Sequence, residues 1–212
     1  MSLILDLIFP KKCLNCQKIG KYICPICLSS QKNNSIKHFD KPPKEGSISL
    51  FKYESIVKKA ILQLKYQFVT DIVDELVSLM VSQITLKFPH LLYYWQKNNF
   101  VLIPIPLYQS RQNWRGFNQS NLLGQKLATK LKLSFSDRII IRTKYTQTQA
   151  QIKNHELRQN NLKDAFVLNI SKIPPNIILF DDVTSSFSTL NSAFKSLNCA
   201  DLNHCWYLTL AG

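Results

Sequence analysis

Ile177–Phe180 is a run of four bulky apolar residues that stops at two aspartates, Asp181 and Asp182. Such a run spares no face for water, so it reads as a buried strand of a sheet covered on both sides. Further strand-like runs lie at 49–55, Val101–Leu107, near Ile139, at 165–169 and in CWYLTLA at 205–211. The two prolines of VLIPIPL predict that its regular strand stops early. Stretches with helical spacing lie between these runs. One has Ile56, Ala60, Ile61 and Leu64; another covers Ile72–Leu86 up to a break at Pro89. A third starts near Asn118 and carries Leu122, Leu123, Leu127, Ala128 and Leu131. Two more are read at 148–162 and after the hydroxyl-rich loop at 184–189. Strands alternating with helices predict an α/β fold built on a parallel sheet.

In parallel sheets, ligands bind at the carboxyl ends of strands, where the topology switches. Asp181 and Asp182 are expected at one such end, where the strand hands over to a loop after Phe180. Ser185, Ser186, Ser188 and Thr189 follow in a loop that leads into a helix. Backbone N–H groups, hydroxyls and a helix dipole together make a phosphate cradle. The adjacent carboxylates would then hold sugar hydroxyls, or Mg2+ with its waters. The alternative at this point is a pair of surface acids beside a helix cap.

A second constraint is CLNCQKIGKYICPIC, in which Cys13-x-x-Cys16 and Cys24-x-x-Cys27 are separated by seven residues. Four thiolates so close suit tetrahedral Zn2+ and leave no open position, so the expected metal role is structural. Cys199 and Cys205 lack this spacing and read as core thiols. Residues 29–47 are polar, with Pro42, Pro43 and Gly46, and read as a linker. His38 within it reads as a surface residue. The expected division is residues 1–47 for an N-terminal helix, knuckle and linker, and 48–212 for the main domain. The N-terminal helix would place Leu3, Ile4 and Leu7 on one side.

The net charge of +14 invites an anionic partner. Lysine supplies most of it, which also fits the codon bias of an AT-rich genome. Lys58, Lys59, Lys65, Arg111, Arg115, Lys126, Lys130 and Arg142 are the candidate phosphate contacts, with Tyr108, Trp114 and Phe117 interleaved. Cations track phosphates while aromatic rings stack bases, the pattern of single-strand binding. Core packing is the competing role for Trp114 and the preferred one for Phe117. No membrane span or signal peptide is read, so a cytoplasmic protein is expected.

Three segments together carry a resemblance. IILFDDVTSSFSTL resembles the ribose-5-phosphate signature of type I phosphoribosyltransferases. PIPL followed by RQNWRGFNQSNLLGQKLA, and the four-cysteine segment from Phe9 to Cys27, are similar to the ComF family of late competence proteins. Thr148-Gln149, Arg158, Asn161 and Ala165-Phe166 add further matches. The resemblance implies a Rossmann-like parallel sheet of type I phosphoribosyltransferase kind behind a small N-terminal zinc knuckle. It also implies a role in natural transformation, handling incoming single-stranded DNA on the inner side of the membrane, with DNA-uptake proteins as partners. Asp181 and Asp182 would be the catalytic acids. Ser185, Ser186, Ser188 and Thr189, with Arg111 and Arg115, would hold phosphoribosyl pyrophosphate with Mg2+.

The sequence departs from that pattern at Phe187, which stands where the family has glycine. If the backbone there needs positive φ, a bulky residue is an outlier. The reading therefore expects an altered phosphate loop and favours DNA binding over phosphoribosyl transfer.

Overall fold

The computed structural model describes residues 10–33, 36–38, 44–145, 164–197 and 201–212. The expected N-terminal helix, the expected helix at 148–162 with Thr148, Gln149, Arg158 and Asn161, and Cys199 lie outside the described residues. In chain order the elements are helix α1 (Pro25–Ser29), strands β1 (Ile36–His38) and β2 (Lys44–Phe51), and helices α2 (Ser55–Tyr66), α3 (Ile72–Lys87) and α4 (Pro89–Lys97). Strand β3 (Val101–Pro104), helices α5 (Gln109–Arg115) and α6 (Gln119–Leu131), and strands β4 (Ser134–Phe135), β5 (Ile140–Arg142), β6 (Phe166–Leu168) and β7 (Asn176–Val183) follow. Helix α7 (Ser188–Lys195) and strand β8 (His204–Ala211) complete the fold.

Six strands form one sheet in the order β1-β2-β8-β7-β3-β4. Only β1 runs antiparallel; β2, β8, β7, β3 and β4 are parallel. Adjacent residues of β7 divide between the two faces. Ile178 and Phe180 pack with α2, α3 and α6, while Ile177 and Leu179 pack with α7, Ile140 and Phe166. This is why the run is apolar at every position. Helix α6 lies close on the sheet because Gly124 has no Cβ. A carbon there would sit 3.0 Å from Leu102 and 3.1 Å from Phe180.

After β3 the chain goes to β4 on one flank, then returns to β7 on the other. The switch point therefore falls between β3 and β7. Prolines open it. The β3–β7 ladder ends at Pro104 opposite Phe180, and Ile105 donates a last N–H to the Phe180 carbonyl at 2.8 Å. Pro106 has no N–H with which to continue. On its other side β7 keeps pairing with β8, through Asp181 opposite Thr209 and Val183 opposite Ala211. The strand thus runs on to Val183, three residues past the expected end at Phe180, because β8 still supplies ladder partners.

Other expectations change with the topology. Residues 29–47 are more than a linker: β1 and the start of β2 pair within them, with Lys37 opposite Ser47. The expected division at 47/48 falls inside β2. Pro89 breaks one helix and starts another, standing at the first turn of α4. The strand near Ile139 joins β6 in a separate two-stranded ribbon. Cys205 is fully buried, as expected of a core thiol.

Candidate functional site: a crevice at the carboxyl edge of the sheet

Four segments meet where β3 and β7 part. The segment after β3 forms α5, ended by Gly116 in the left-handed conformation at φ +75. Glycine adopts that angle without the steric cost borne by other residues. The chain then turns into α6, capped by Asn118. Its side chain accepts from the Ser120 N–H at 3.0 Å and donates to the Ile105 carbonyl at 3.0 Å. The Arg-Gly-Phe-Asn run is thus a helix stop, a turn and a cap, fixed to the end of β3.

This places Ser120 over β7. Its hydroxyl donates to Asp181 Oδ1 at 2.8 Å, and the Asp182 N–H donates to the same oxygen at 2.9 Å. Asp182 points to the other face and is buried, 2.6 Å from Lys65 Nζ on α2. Burial lowers the lysine's proton affinity, but the Asp182 carboxylate outweighs it and holds the ammonium above its ordinary range. Burial, then the neighbouring Asp182 charge, push Asp181 up to about 7. Arg142, on β5, is drawn down to about 10 by burial and by Arg111, against the opposing charge of Asp181. Tyr53, just past β2, is raised by burial and also feels Lys65, Asp182 and Tyr66.

The acid pair does not make a magnesium site as it stands. Lys65 takes the Asp182 carboxylate, and Ser120 with a backbone N–H takes one oxygen of Asp181.

A polar rung crosses the sheet at this level, where Asp181, Thr209 and Ser49 share one register. Ser49 and Thr209 are buried and bonded to each other at 2.8 Å. Beyond the rung, the loop after β7 leads into α7. Thr184 Oγ1 accepts the Phe187 N–H at 2.9 Å, the Ser186 and Ser188 hydroxyls are bonded to each other, and Ser188 is buried. Phe187 takes φ +54 and ψ 10, the left-handed geometry. Its ring packs toward the core, 6.2 Å from the ring centre of Tyr207. The loop therefore has the backbone angle a glycine would supply, despite the phenylalanine.

At the other end of α2 lies the cysteine knuckle. The sulfurs of Cys13, Cys16, Cys24 and Cys27 lie within 4.8 Å of one another, and Cys16 and Cys24 are 3.6 Å apart. Zn2+ with bonds of about 2.3 Å spaces its sulfurs by roughly 3.8 Å, so this set fits the ion. The thiols are unequal. Burial opposes ionisation of Cys13, but the backbone groups of Cys16, Cys24 and Asn15 bring it down to about 6. At Cys27 the Asn15 amide favours the thiolate, but burial and the three other sulfurs push the thiol up to about 12. Four cysteines this close could hold a metal ion such as zinc. The knuckle is docked: Glu75 accepts N–H bonds from Tyr22 and Ile23 at 3.1 and 2.9 Å, and Lys59 donates to Asn15 at 2.8 Å.

The chain is similar in sequence to known proteins. Competence protein F of Haemophilus influenzae is 43% identical over 99 residues, 45% of this chain and 43% of that protein. DNA utilization protein YhgH of Salmonella typhimurium is 30% identical over 155 residues, 70% of this chain and 64% of that protein. Competence protein ComFC of Bacillus subtilis is 26% identical over 200 residues, 88% of this chain and 78% of that protein. The chain belongs to the ComF family. The match thus spans less than half the length of the Haemophilus ComF-family protein. No protein-family model matches the chain.

The candidate basic residues of this ComF-family chain separate into two groups. Lys65, Arg111, Arg115 and Arg142 line or flank the crevice. Lys58 lies over the Tyr53 ring and Lys59 holds the knuckle. Lys126 pairs with Asp74 at 2.6 Å on the outer face of α6, and Lys130 borders a groove with Ser78, Val81 and Leu86. Lys126 and Lys130 lie about 9 and 15 Å along α6 from Ser120. Trp114 is 62% exposed, so it is not a core residue; Phe117 is partly buried against the core. No described helix is long and apolar enough to cross a membrane.

The raised Asp181 gives a pH prediction. An unfolded carboxyl titrates near 3.8 and the folded one near 7, so the folded state holds a proton that the unfolded state has lost. Stability from this group is complete below about 4, falls as pH rises to about 7, and is flat above. Asn at 181 keeps the acceptor for Ser120 but removes the charge. Asp181→Asn is therefore expected to raise the urea midpoint over wild type at pH 8 and to show little gain at pH 4.5. An equal gain at both pH values would show that the carboxyl is ordinarily ionised.

Proposed function

We propose that this chain handles single-stranded DNA in competence, with the carboxyl-edge crevice gripping the sugar-phosphate backbone. The single observation that carries the reading is the convergence of Arg111, Arg115 and Arg142, from two separate segments, around the switch point of the sheet, beside the Lys65–Asp182 pair. The ComF relatives named for competence and DNA utilization supply the biological setting. In this reading the crevice belongs to a phosphoribosyltransferase-like domain whose sheet includes β1 and β2, and the cysteine segment before β1 is a structural zinc unit. DNA-uptake proteins at the inner membrane are the proposed partners.

The test is a salt titration with a single-stranded oligonucleotide. If the crevice neutralises about three phosphates, log affinity should fall against log salt with a slope of about −2. A flat response overturns the proposal.

A second reading is favoured by Phe187. Its backbone takes the left-handed angle that a glycine would supply, and its ring turns inward toward Tyr207, so the side chain does not fill the loop. The ligand would be phosphoribosyl pyrophosphate, titrated with its magnesium in parallel with the oligonucleotide. Heat of binding in wild type supports this reading; none in wild type or in Phe187→Gly ends it.

A further inference from the structure

Helix α5 carries Arg111 and Arg115 four residues apart, so both lie on one side of the helix. Each guanidinium covers an exposed aromatic ring. Arg115 lies 5.3 Å from the ring centre of Tyr66 and 5.9 Å from that of Trp114. Arg111 lies 5.1 Å from the ring centre of Tyr145, which meets Tyr108 edge-on at 5.7 Å. Trp114 in turn meets Phe68 at 5.6 Å. Tyr66, Phe68, Trp114 and Tyr145 are 50%, 43%, 62% and 61% exposed. Four large rings in water around two arginines are unusual for a surface with no partner.

The backbone adds a separate observation. Phe68 is held at φ +58, a left-handed angle that disfavours a bulky residue. The strained residue leaves its ring partly exposed toward Trp114. Strained backbone of this kind clusters at ligand-binding sites, and here it coincides with the exposed rings. Charge says what kind of partner. The rings are interleaved with guanidinium groups, the chain carries +14, and Tyr66 directly follows Lys65 of the crevice. Arginine planes and aromatic faces together suit nucleobases joined by phosphates.

We propose that α5 and its two flanking ring clusters form the base-stacking platform for single-stranded DNA. Bases lie on Trp114 and Phe68 to one side and on Tyr145 to the other, and Arg111 and Arg115 hold the intervening phosphates. This rests on the DNA-handling reading above and names the surface that carries it.

Tryptophan fluorescence isolates the site, because Trp95 and Trp206 are buried and Trp114 is exposed. Wild type and Trp114→Ala would be titrated with oligo(dT) and with an abasic strand of equal length, after urea midpoints confirm equal folding. Oligo(dT) is expected to quench the emission. Trp114→Ala is expected to weaken oligo(dT) binding roughly ten-fold and to leave abasic binding unchanged. Tyr145→Ala should act in the same direction on oligo(dT). Equal affinity of wild type for both strands, with both variants within two-fold of it, overturns the platform while leaving phosphate-driven DNA binding in place. Failure of wild type to bind either strand overturns both.

Discussion

Replacing Lys65 by methionine is expected to cost the fold about 3–5 kcal/mol, because it strands a buried carboxylate. Asp182 is buried with its charge 2.6 Å from Lys65, and Asp181 is its neighbour in the chain. Methionine fills much of the lysine stem's volume but brings no charge. What is measured is therefore the cost of an uncompensated acid pair, not of a cavity. The double variant Lys65→Met/Asp182→Asn removes the stranded charge and should recover most of the loss. Urea unfolding of the two variants, with unchanged m-values, checks this. A single-variant loss below about 1 kcal/mol would mean that the pair behaves like a solvent-screened surface bridge.

The second large effect is expected at the knuckle. Four-thiolate sites bind Zn2+ with apparent free energies on the order of 10 kcal/mol, comparable to the whole stability of a domain. Cys13, Ile23, Cys24 and Cys27 are buried in the same apolar cluster as α2 and α3. Losing the metal would therefore loosen part of the main core as well as the 10–33 segment. Cys24→Ser removes a sulfur ligand and the thiol that accepts the Cys27 N–H. The variant should purify with little zinc, show a lowered thermal midpoint, and be cut by protease between Lys11 and Lys32. A zinc-free variant with wild-type stability and protease resistance would remove the metal from the folding argument.

Much of this was legible in the chain itself. Ile177–Phe180 gave a buried strand because its side chains serve both faces, and that is how β7 divides them. The cysteine spacing gave the knuckle because two tight turns leave few alternatives to a shared ion. Three things were hidden for physical reasons. The length of β7 depends on β8, a partner remote in sequence, so no local pattern marks Val183 as its end. Lys65 reads as a surface lysine by helical spacing; only the tertiary placement of Asp182 makes it a buried partner. Ser49, Ser120 and Thr209 are ordinary hydroxyls until the sheet register and the α6 cap bring them to one level. A faint signal did exist at Thr209, the single polar residue among the apolar neighbours of CWYLTLA. The weight given to Phe187 also shifts. Phenylalanine at the family's glycine position points, from sequence, to an altered phosphate loop; the backbone nevertheless takes the left-handed angle, with the ring folded toward Tyr207.

Helix α2 touches the cysteine loop through Lys59 and the sunken acid through Lys65, six residues apart. That is about 9 Å of axial rise, under two turns, too short a rod to flex between its ends. Displacement at one end must arrive at the other as a tilt. An ion held by the four sulfurs would thus help to aim an ammonium group that it never touches.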